Sequence, residues 1–276
     1  MKPEILPWRN EFVKTLRPLY EEKEAESIFR WAKDHIEKNH PRPENREAQF
    51  RIYLERLILG EPLQYIIGEW DFYGRHFLLN PAVLIPRPET EELVDLCLRM
   101  DLPADARVLD VGTGSGCIAI TLANERRIWQ VSGLDISYKA LQVAQTNATL
   151  YKASIQWICA DILGEVPEIA EARFDLIVSN PPYVTASEAK LMRKNVVEHE
   201  PHQALFVPNS DPLIFYKRIS AFGQESLRPG GRIAFEINEA FQEETVELMV
   251  KEGYIHIDSL KDMQGKWRFV LAQKPL

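Results

Sequence analysis

The sequence predicts an α/β protein in which a mainly parallel, doubly wound sheet follows a small helical bundle. From residue 106 onward, short apolar stretches alternate with helical patterns, as they do in βαβ units. The first of these stretches, residues 107–111, runs directly into a glycine-rich loop and then a helix. Before residue 60, apolar residues recur at helical spacing. The 276 residues are enough for one large domain and a smaller one.

The N-terminal part is predicted to be helical over residues 10–38 and 44–59. Apolar residues such as Phe12, Leu16 and Leu19 recur every three or four positions, and prolines interrupt the pattern near residue 42. We therefore expect residues 1–64 to form a helical domain. Aromatic and β-branched stretches flank Gly74, so residues 65–85 are predicted to be a hairpin linker.

Residues 86–276 are predicted to form the sheet domain, beginning with a helix from Glu92 to about Met100. Ser115 and Ser137 are expected to cap later helices. Because no helix separates the last two strands, one of them should be antiparallel. The seven predicted strands are Arg107–Val111, Trp129–Leu134, Ile155–Cys159, Phe174–Val178, Arg232–Ile237, Ile255–Leu260 and Trp267–Ala272.

Composition and charge disfavour several classes of function. The net charge of −8 disfavours a protein that grips duplex nucleic acid, which usually needs a cationic face. Three widely spaced cysteines argue against a disulfide framework or a zinc site and suit the reducing cytoplasm. No cysteine or third histidine accompanies His199 and His202, so no metal site is expected. No long apolar run or signal peptide is present, and no membrane partner is expected.

The glycine-rich loop indicates the kind of cofactor. Glycines stand at 112, 114 and 116, whereas a dinucleotide site would need a glycine where this chain has Cys117. The spacing favours a nucleoside without a pyrophosphate, such as S-adenosylmethionine. The predicted cofactor loop comprises Gly112, Thr113, Gly114, Ser115 and Gly116.

Two acidic residues end the next two strands and extend the predicted cofactor site. Asp135 lies about twenty residues after the loop, where a carboxylate can bind a ribose diol. Asp161 could accept a hydrogen bond from an adenine amino group, with Ile162 covering the ring. The alternatives are a helix cap for Asp135 and a solvated loop for Asp161.

The segment Asn180-Pro181-Pro182-Tyr183 follows a buried strand, at the sheet edge where ligands bind in open α/β folds. Asn180 offers a side-chain carbonyl, and the prolines make a stiff loop that is rich in acceptors. Tyr183 offers a flat face for stacking. We expect this segment to grip a planar nitrogen group, with Asn180, Pro181 and Tyr183 taking part in catalysis and Asn180 also bordering the cofactor. The alternative is an ordinary strand-to-loop stop.

The glycine loop and the Asn-Pro-Pro-Tyr segment together resemble the amino-methyltransferases that use S-adenosylmethionine, which include DNA and protein-glutamine methyltransferases. Three further segments are similar to the HemK/PrmC family, the peptide chain release factor glutamine methyltransferases. These segments are residues 62–66, residues 85–91 (Ile-Pro-Arg-Pro-Glu-Thr-Glu), and Glu200-Pro201 with Ala204-Leu205. The resemblance covers nearly the whole chain.

This resemblance implies a class I methyltransferase fold with an N-terminal helical domain that docks the protein substrate. It implies methyl transfer from S-adenosylmethionine to the glutamine of the Gly-Gly-Gln motif in release factors, which tunes translation termination. Arg87 and Pro88 are expected to contribute to the cofactor site. A monomer that holds no nucleic acid stably is also expected.

Two positions depart from the family pattern: Asn238 stands where glycine is usual, and Asp211-Pro212-Leu213 replaces a Gly-Leu pair. Four alternative functions stay open. The substrate could be a glutamine in a ribosomal protein, or adenine in a nucleic acid. A nucleotide-binding dehydrogenase is disfavoured by the glycine spacing, and the chain could also be a non-catalytic adaptor that keeps the fold.

Overall fold

The computed structural model describes residues 6–40, 42–166, 169 and 172–276. They form two compact units. The first unit contains the described residues up to Glu69 together with Arg193–His199. The second contains the described residues of Trp70–Met192 and Glu200–Leu276. No helix in the described ranges is both long enough and apolar enough to cross a membrane.

The first unit is helical and has an aromatic core. Phe29 packs edge-on against Phe12 at 5.4 Å and stacks on Phe50 at 5.6 Å between ring centroids. Leu19 and Trp31, which the sequence pattern placed on the apolar face, are exposed. Leu19 lies beyond the end of the first helix, and Trp31 is one position out of phase with the buried Ala32. The helices are α1 (Leu6–Leu16), α2 (Glu22–Asn39), α3 (Pro43–Ile58), α4 (Leu63–Ile67) and α8 (Lys194–His199).

The chain passes from helix to hairpin at Gly68. Residues 65–67, at the start of the predicted hairpin linker, belong to α4 (Leu63–Ile67) instead of extended chain. Gly68 ends this helix with φ = 81°, a left-handed conformation that glycine adopts without strain. The predicted hairpin follows, with β1 (Glu69–Phe72) and β2 (Arg75–Leu78) pairing around Gly74.

The second unit is built on a seven-stranded sheet, and every strand predicted for it is present. The strands are β3 (Arg107–Val111), β4 (Gln130–Asp135), β5 (Ile155–Cys159), β6 (Phe174–Ser179), β9 (Leu227–Glu236), β10 (Ile255–Lys261) and β11 (Trp267–Gln273). Their order in the sheet is β10-β11-β9-β6-β3-β4-β5. Strand β11 runs antiparallel to both β9 and β10, which confirms that one of the last two strands is antiparallel. Short strands β7 (Val184–Thr185) and β8 (Phe206–Val207) pair separately.

Helices pack on the sheet through two apolar clusters. The helices are α5 (Pro88–Leu98), α6 (Cys117–Glu125), α7 (Tyr138–Tyr151), α9 (Ile214–Ser226) and α10 (Gln242–Lys251). One cluster includes residues of α9 and α10, such as Ile219 and Met249. The other includes residues of α5 and α6, such as Leu93 and Ile120.

The strand order places the candidate site between β3 and β6. The chain runs from β3 to β4 and β5 on one side, then returns to β6 on the other, so the order reverses beside β3. Ser179 at the end of β6 lies opposite Val111 at the end of β3 and donates a hydrogen bond to its carbonyl, at 2.7 Å. The glycine loop and the Asn-Pro-Pro-Tyr turn therefore leave the sheet side by side, where open α/β folds bind ligands.

Candidate active site

A cavity of about 340 Å³ lies at this carboxyl edge of the sheet. Its wall is mostly apolar and includes the carboxylates of Asp135 and Asp161. Of the residues predicted to bind cofactor or substrate, the cavity is lined by Gly112, Gly114, Asp135, Asp161, Ile162, Asn180, Pro181 and Pro182.

The three loop glycines serve different purposes. All have positive φ (75°, 54° and 80° at 112, 114 and 116), which other residues adopt only with strain. A Cβ added to Gly112 or Gly114 would meet nothing within 4 Å, so these two positions leave open space for a ligand. A Cβ at Gly116 would lie 3.1 Å from both Ala144 and Trp157, so Gly116 lets the start of α6 pack closely against these two residues.

Thr113 and Ser115 are buried and do not line the cavity. The Thr113 hydroxyl donates to Asp110 at 2.6 Å. Ser115 was predicted to cap α6, but Gly116 occupies the N-cap position and no side chain caps that helix. The reason is that the chain makes one more left-handed step at Gly116 before the helix begins, which moves Ser115 out of capping range.

Asp135 is held by backbone donors. Gly114 N–H donates to Oδ2 at 2.9 Å, and Ser137 N–H donates to Oδ1 at 2.8 Å. Burial raises the pKa of Asp135, and these two hydrogen bonds oppose the rise. Each carboxylate oxygen keeps one lone pair, a pattern suited to the two hydroxyls of a ribose. Ser137 caps α7 as predicted, with Ala140 N–H donating to its Oγ at 3.2 Å.

Asp161 and Ile162 form the next part of the wall. Asp161 is exposed and accepts from Leu163 N–H at 2.9 Å through Oδ1. Its Oδ2 remains available to a ligand donor. Ile162 is buried and presents its side chain to the cavity.

Asp110 is a buried acid that the sequence reasoning missed. Its Oδ2 accepts from Thr113 and from Ala119 N–H, whereas Oδ1 has no partner. Burial raises its pKa to about 7. A charged residue inside the apolar run Val108–Val111 was the available signal, since buried acids seldom lack a role.

Asn180 lies between the large cavity and a second one of about 120 Å³, and it lines both. Its Nδ2 donates to Thr90 Oγ1 at 3.0 Å. Thr90 in turn donates to Glu236 Oε2 at 2.7 Å, and the Tyr183 hydroxyl donates to Glu236 Oε1 at 3.2 Å. Thr90 and Glu236 were not among the predicted site residues, although Glu236 ends a strand at the same sheet edge.

The smaller cavity brings Arg87 beside the Asn-Pro-Pro-Tyr turn. Arg87, Asn180, Pro181 and Tyr183 line it, whereas Pro88 begins α5 and lines neither of these two cavities. Arg87 Nη2 donates to the buried Glu200 at 2.6 Å. The structure therefore places Arg87 at the smaller cavity and not at the larger one.

A metal ion has no evident site here. Within the described ranges, no group of three or more His, Cys, Asp or Glu side chains is placed to hold one.

Comparison with known proteins shows the family. A family model described as "Methyltransferase small domain" matches residues 92–205. A release factor glutamine methyltransferase of Bacteroides thetaiotaomicron is 45% identical over 83% of this chain and 82% of its own length. One from Flavobacterium psychrophilum is 40% identical over 96% of this chain and 98% of its own length.

The fold is shared with a methyltransferase from Pyrococcus furiosus of known crystal structure. The TM-score is 0.55 at 19% identity, and the match covers 84% of this chain and 99% of the other. This likeness supports the class I methyltransferase fold, while the closer sequence relatives define the group within it. The chain belongs to the release factor glutamine methyltransferase family.

Proposed function

We propose that the protein transfers a methyl group from S-adenosylmethionine to the side-chain amide nitrogen of the glutamine in the Gly-Gly-Gln motif of release factors. The names of its relatives support this activity. The position of Asn180, which lines both the large and the small cavity, carries the proposal. A group bound in one cavity and a group bound in the other would meet at this residue.

The residues that line the large cavity support binding of the cofactor there. Gly112 and Gly114 leave room for close approach of a ligand to the backbone, and Asp135 keeps lone pairs for a ribose diol. Asp161 and Ile162 offer an acceptor and an apolar face for the adenine. When bound, the cofactor supplies an electrophilic methyl group on sulfur, and transfer forms an N–C bond as the C–S bond breaks.

The small cavity is the proposed slot for the substrate glutamine. An amide nitrogen is a poor nucleophile because its lone pair is delocalised. The Asn180 side-chain carbonyl and the Pro181 backbone carbonyl each accept one N–H of the amide, which aims the nitrogen at the cofactor side. Such positioning can supply several kcal/mol of the barrier. The acceptor dipoles also stabilise the positive charge that develops on nitrogen.

Tyr183 flanks this slot, and its hydroxyl is held by Glu236. The ring is therefore fixed in place to stack on the amide plane and exclude water. No strong base is required, because an N-alkylated amide is very acidic and loses its extra proton to a carbonyl or to water.

We also propose that the helical residues 1–64 dock the protein substrate and that the enzyme works as a monomer in the cytoplasm. Deletion of residues 1–64 should then raise the KM for the protein substrate far more than the Kd for the cofactor. Because Arg193–His199 belongs to the same compact unit, circular dichroism must first confirm that the remainder is folded.

The deciding experiment offers methyl-labelled S-adenosylmethionine with a release factor, a ribosomal protein or adenine-containing DNA, each in a separate reaction. Mass spectrometry then locates the label. Label on the glutamine of the Gly-Gly-Gln loop supports the proposal. Label on DNA or on a ribosomal protein would overturn the assignment of release factors as the substrate. Absence of label despite cofactor binding would indicate a non-catalytic adaptor.

A further inference from the structure

A chain of hydrogen bonds connects the buried Glu236 at the end of β9 to Asn180 in the turn after β6. Glu236 accepts from Thr90 Oγ1 at 2.7 Å, and Thr90 Oγ1 accepts from Asn180 Nδ2 at 3.0 Å. Glu236 is 1% exposed and Thr90 is 3% exposed, so solvent does not compete for these groups. The three residues come from separate elements: a strand end, helix α5 and the turn.

The donor and acceptor properties of these groups fix the direction of each hydrogen bond between Glu236, Thr90 and Asn180. An ionised carboxylate only accepts hydrogen bonds, so the single hydroxyl proton of Thr90 points to Glu236. The Thr90 oxygen must then accept from Asn180, and only the NH₂ end of the amide can donate. The hydrogen-bond partners thus determine which end of the Asn180 amide is oxygen and which is nitrogen. Without such partners, the two orientations of an amide group are hard to tell apart. The carbonyl Oδ1 is left for the substrate.

Glu236 also holds the other end of the turn. Its second oxygen, Oε1, accepts from the Tyr183 hydroxyl at 3.2 Å. One carboxylate therefore holds both the amide that would accept the substrate N–H and the ring that would flank it.

We propose that ionised Glu236 is a positioning residue, which acts through Thr90 to turn the Asn180 carbonyl toward the substrate amide. This inference rests on the proposed function. It adds that the reaction requires the carboxylate form of a residue that touches neither substrate nor cofactor.

Protonation of Glu236 would reverse the direction of the two hydrogen bonds that link it through Thr90 to Asn180. A neutral carboxyl group donates to Thr90, which then donates to Asn180 Oδ1 and turns the NH₂ end of the amide toward the substrate. Two N–H donors would then face each other, and the amide nitrogen would lose its acceptor. Activity should therefore fall at the pH where Glu236 takes up a proton.

The groups around Glu236 place that pH in an accessible range. Burial raises the pKa of Glu236 to about 6, and Glu89 on α5 acts in the same direction. Thr90, the Arg268 guanidinium on β11 and the Tyr183 hydroxyl oppose the rise. Since the active form is the ionised one, kcat should be full above this pKa and should fall as pH drops through about 6.

The test compares full-length variants in the methylation assay between pH 5 and 8. Glutamine at 236 cannot titrate and offers one acceptor oxygen instead of two, so Glu236→Gln should remove the acid limb of kcat. It should also lower the plateau by about 10- to 100-fold, the usual effect of losing an outer-shell partner of a functional group. Thr90→Val, which is isosteric but lacks the hydroxyl, should lower kcat similarly, and Thr90→Ser should restore it. The exposed Glu239→Gln is the matched control and should keep the wild-type profile.

A second readout does not depend on turnover. In ¹⁵N NMR spectra of the cofactor-bound protein, the Asn180 side-chain NH₂ signals should titrate with an apparent pKa near 6 in the wild type and stay constant in Glu236→Gln. The cofactor Kd should change little in every variant. An acid limb that persists in Glu236→Gln, or wild-type kcat in Thr90→Val, would overturn the inference. An inactive wild-type protein would instead count against the proposed function.

Discussion

Replacement of Asn180 by alanine should separate catalysis from cofactor binding. The change removes the Oδ1 acceptor that faces the proposed substrate slot and the Nδ2 donor to Thr90, 3.0 Å away. It leaves the Pro181 carbonyl, the glycine loop and Asp135 in place. We expect kcat to fall strongly while the cofactor Kd changes little.

The structure sets the magnitude of each effect. Loss of one preorganised dipole in an active site costs about 10²- to 10³-fold in kcat, and we expect a loss in this range. Loss of the hydrogen bond to Thr90 costs about 1 kcal/mol of unfolding free energy. Thr90 keeps Glu236 as its acceptor, so no buried donor is left without a partner. Asn180 gives the large cavity only part of its wall, so the cofactor Kd should rise by about threefold or less, equivalent to roughly 0.6 kcal/mol.

The assay is steady-state methylation of a release factor, paired with calorimetric titration of the cofactor and a thermal melt. Asn209→Ala is a matched control, because Asn209 is exposed, its side chain accepts hydrogen bonds from Ser187, and it lines neither of the two cavities. It should keep the wild-type kcat. Equal losses of kcat and cofactor affinity in Asn180→Ala would show that Asn180 is mainly structural and would refute this reasoning.

Three further changes test other parts of the site. Asp135→Ala should weaken cofactor binding by about 10²-fold, because two hydrogen bonds to a charged acceptor are lost, and calorimetry would refute the ribose role if Kd stayed constant. Gly133→Ala would place a Cβ 2.5 Å from the Trp157 ring, so the melt should show a loss of about 1–3 kcal/mol, whereas Gly164→Ala, with its nearest atom at 3.5 Å, should not. Asn238→Gly removes hydrogen bonds to the Tyr183 carbonyl (3.1 Å) and to Glu188 (2.9 Å), so amide exchange over residues 184–188 should speed up. Unchanged exchange there would mean that Asn238 does not anchor this segment.

The structure gives a role to Asn238, at the position where the resemblance led us to expect glycine. A glycine would offer no side chain, whereas Asn238 also accepts from Ala240 N–H at 3.0 Å and so caps the following turn. The two hydrogen bonds from its Nδ2, to the Tyr183 carbonyl and to Glu188, tie the chain after Tyr183 to the end of β9. In Asp211-Pro212-Leu213, Asp211 forms an exposed ion pair with Lys217, and Leu213 packs against the apolar cluster that contains Ile219.

The strands of the sheet were predictable because each is a short apolar run with clear ends. The largest error was at β9, which begins at Leu227 and not at Arg232. Pro229-Gly230-Gly231 resembles a turn in sequence, yet the strand continues through it as an irregularity in its pairing with β6. Gly230, at φ = 77°, permits that irregularity, and a local pattern could not distinguish it from a stop.

The parts of the site that follow strands were also predictable, since parallel strands end at one edge. Asp135 and Asn180 could be placed together on that basis alone. Thr90 and Glu236 could not, because their hydrogen bond joins positions 146 residues apart. The same limit applies to Arg193–His199, which belongs to the helical unit through long-range contacts such as the ion pair of Arg193 with Glu24.

The proposed role of the Asn180 carbonyl is to aim the substrate amide at the cofactor. A crystal structure of the protein with S-adenosylhomocysteine and a peptide that contains Gly-Gly-Gln would test this role most directly. We predict that the glutamine side-chain nitrogen lies about 2.9 Å from both Asn180 Oδ1 and the Pro181 carbonyl oxygen, a normal hydrogen-bond length. A glutamine bound elsewhere, or an Asn180 amide with its nitrogen toward the peptide, would contradict the proposed role of the Asn180 carbonyl.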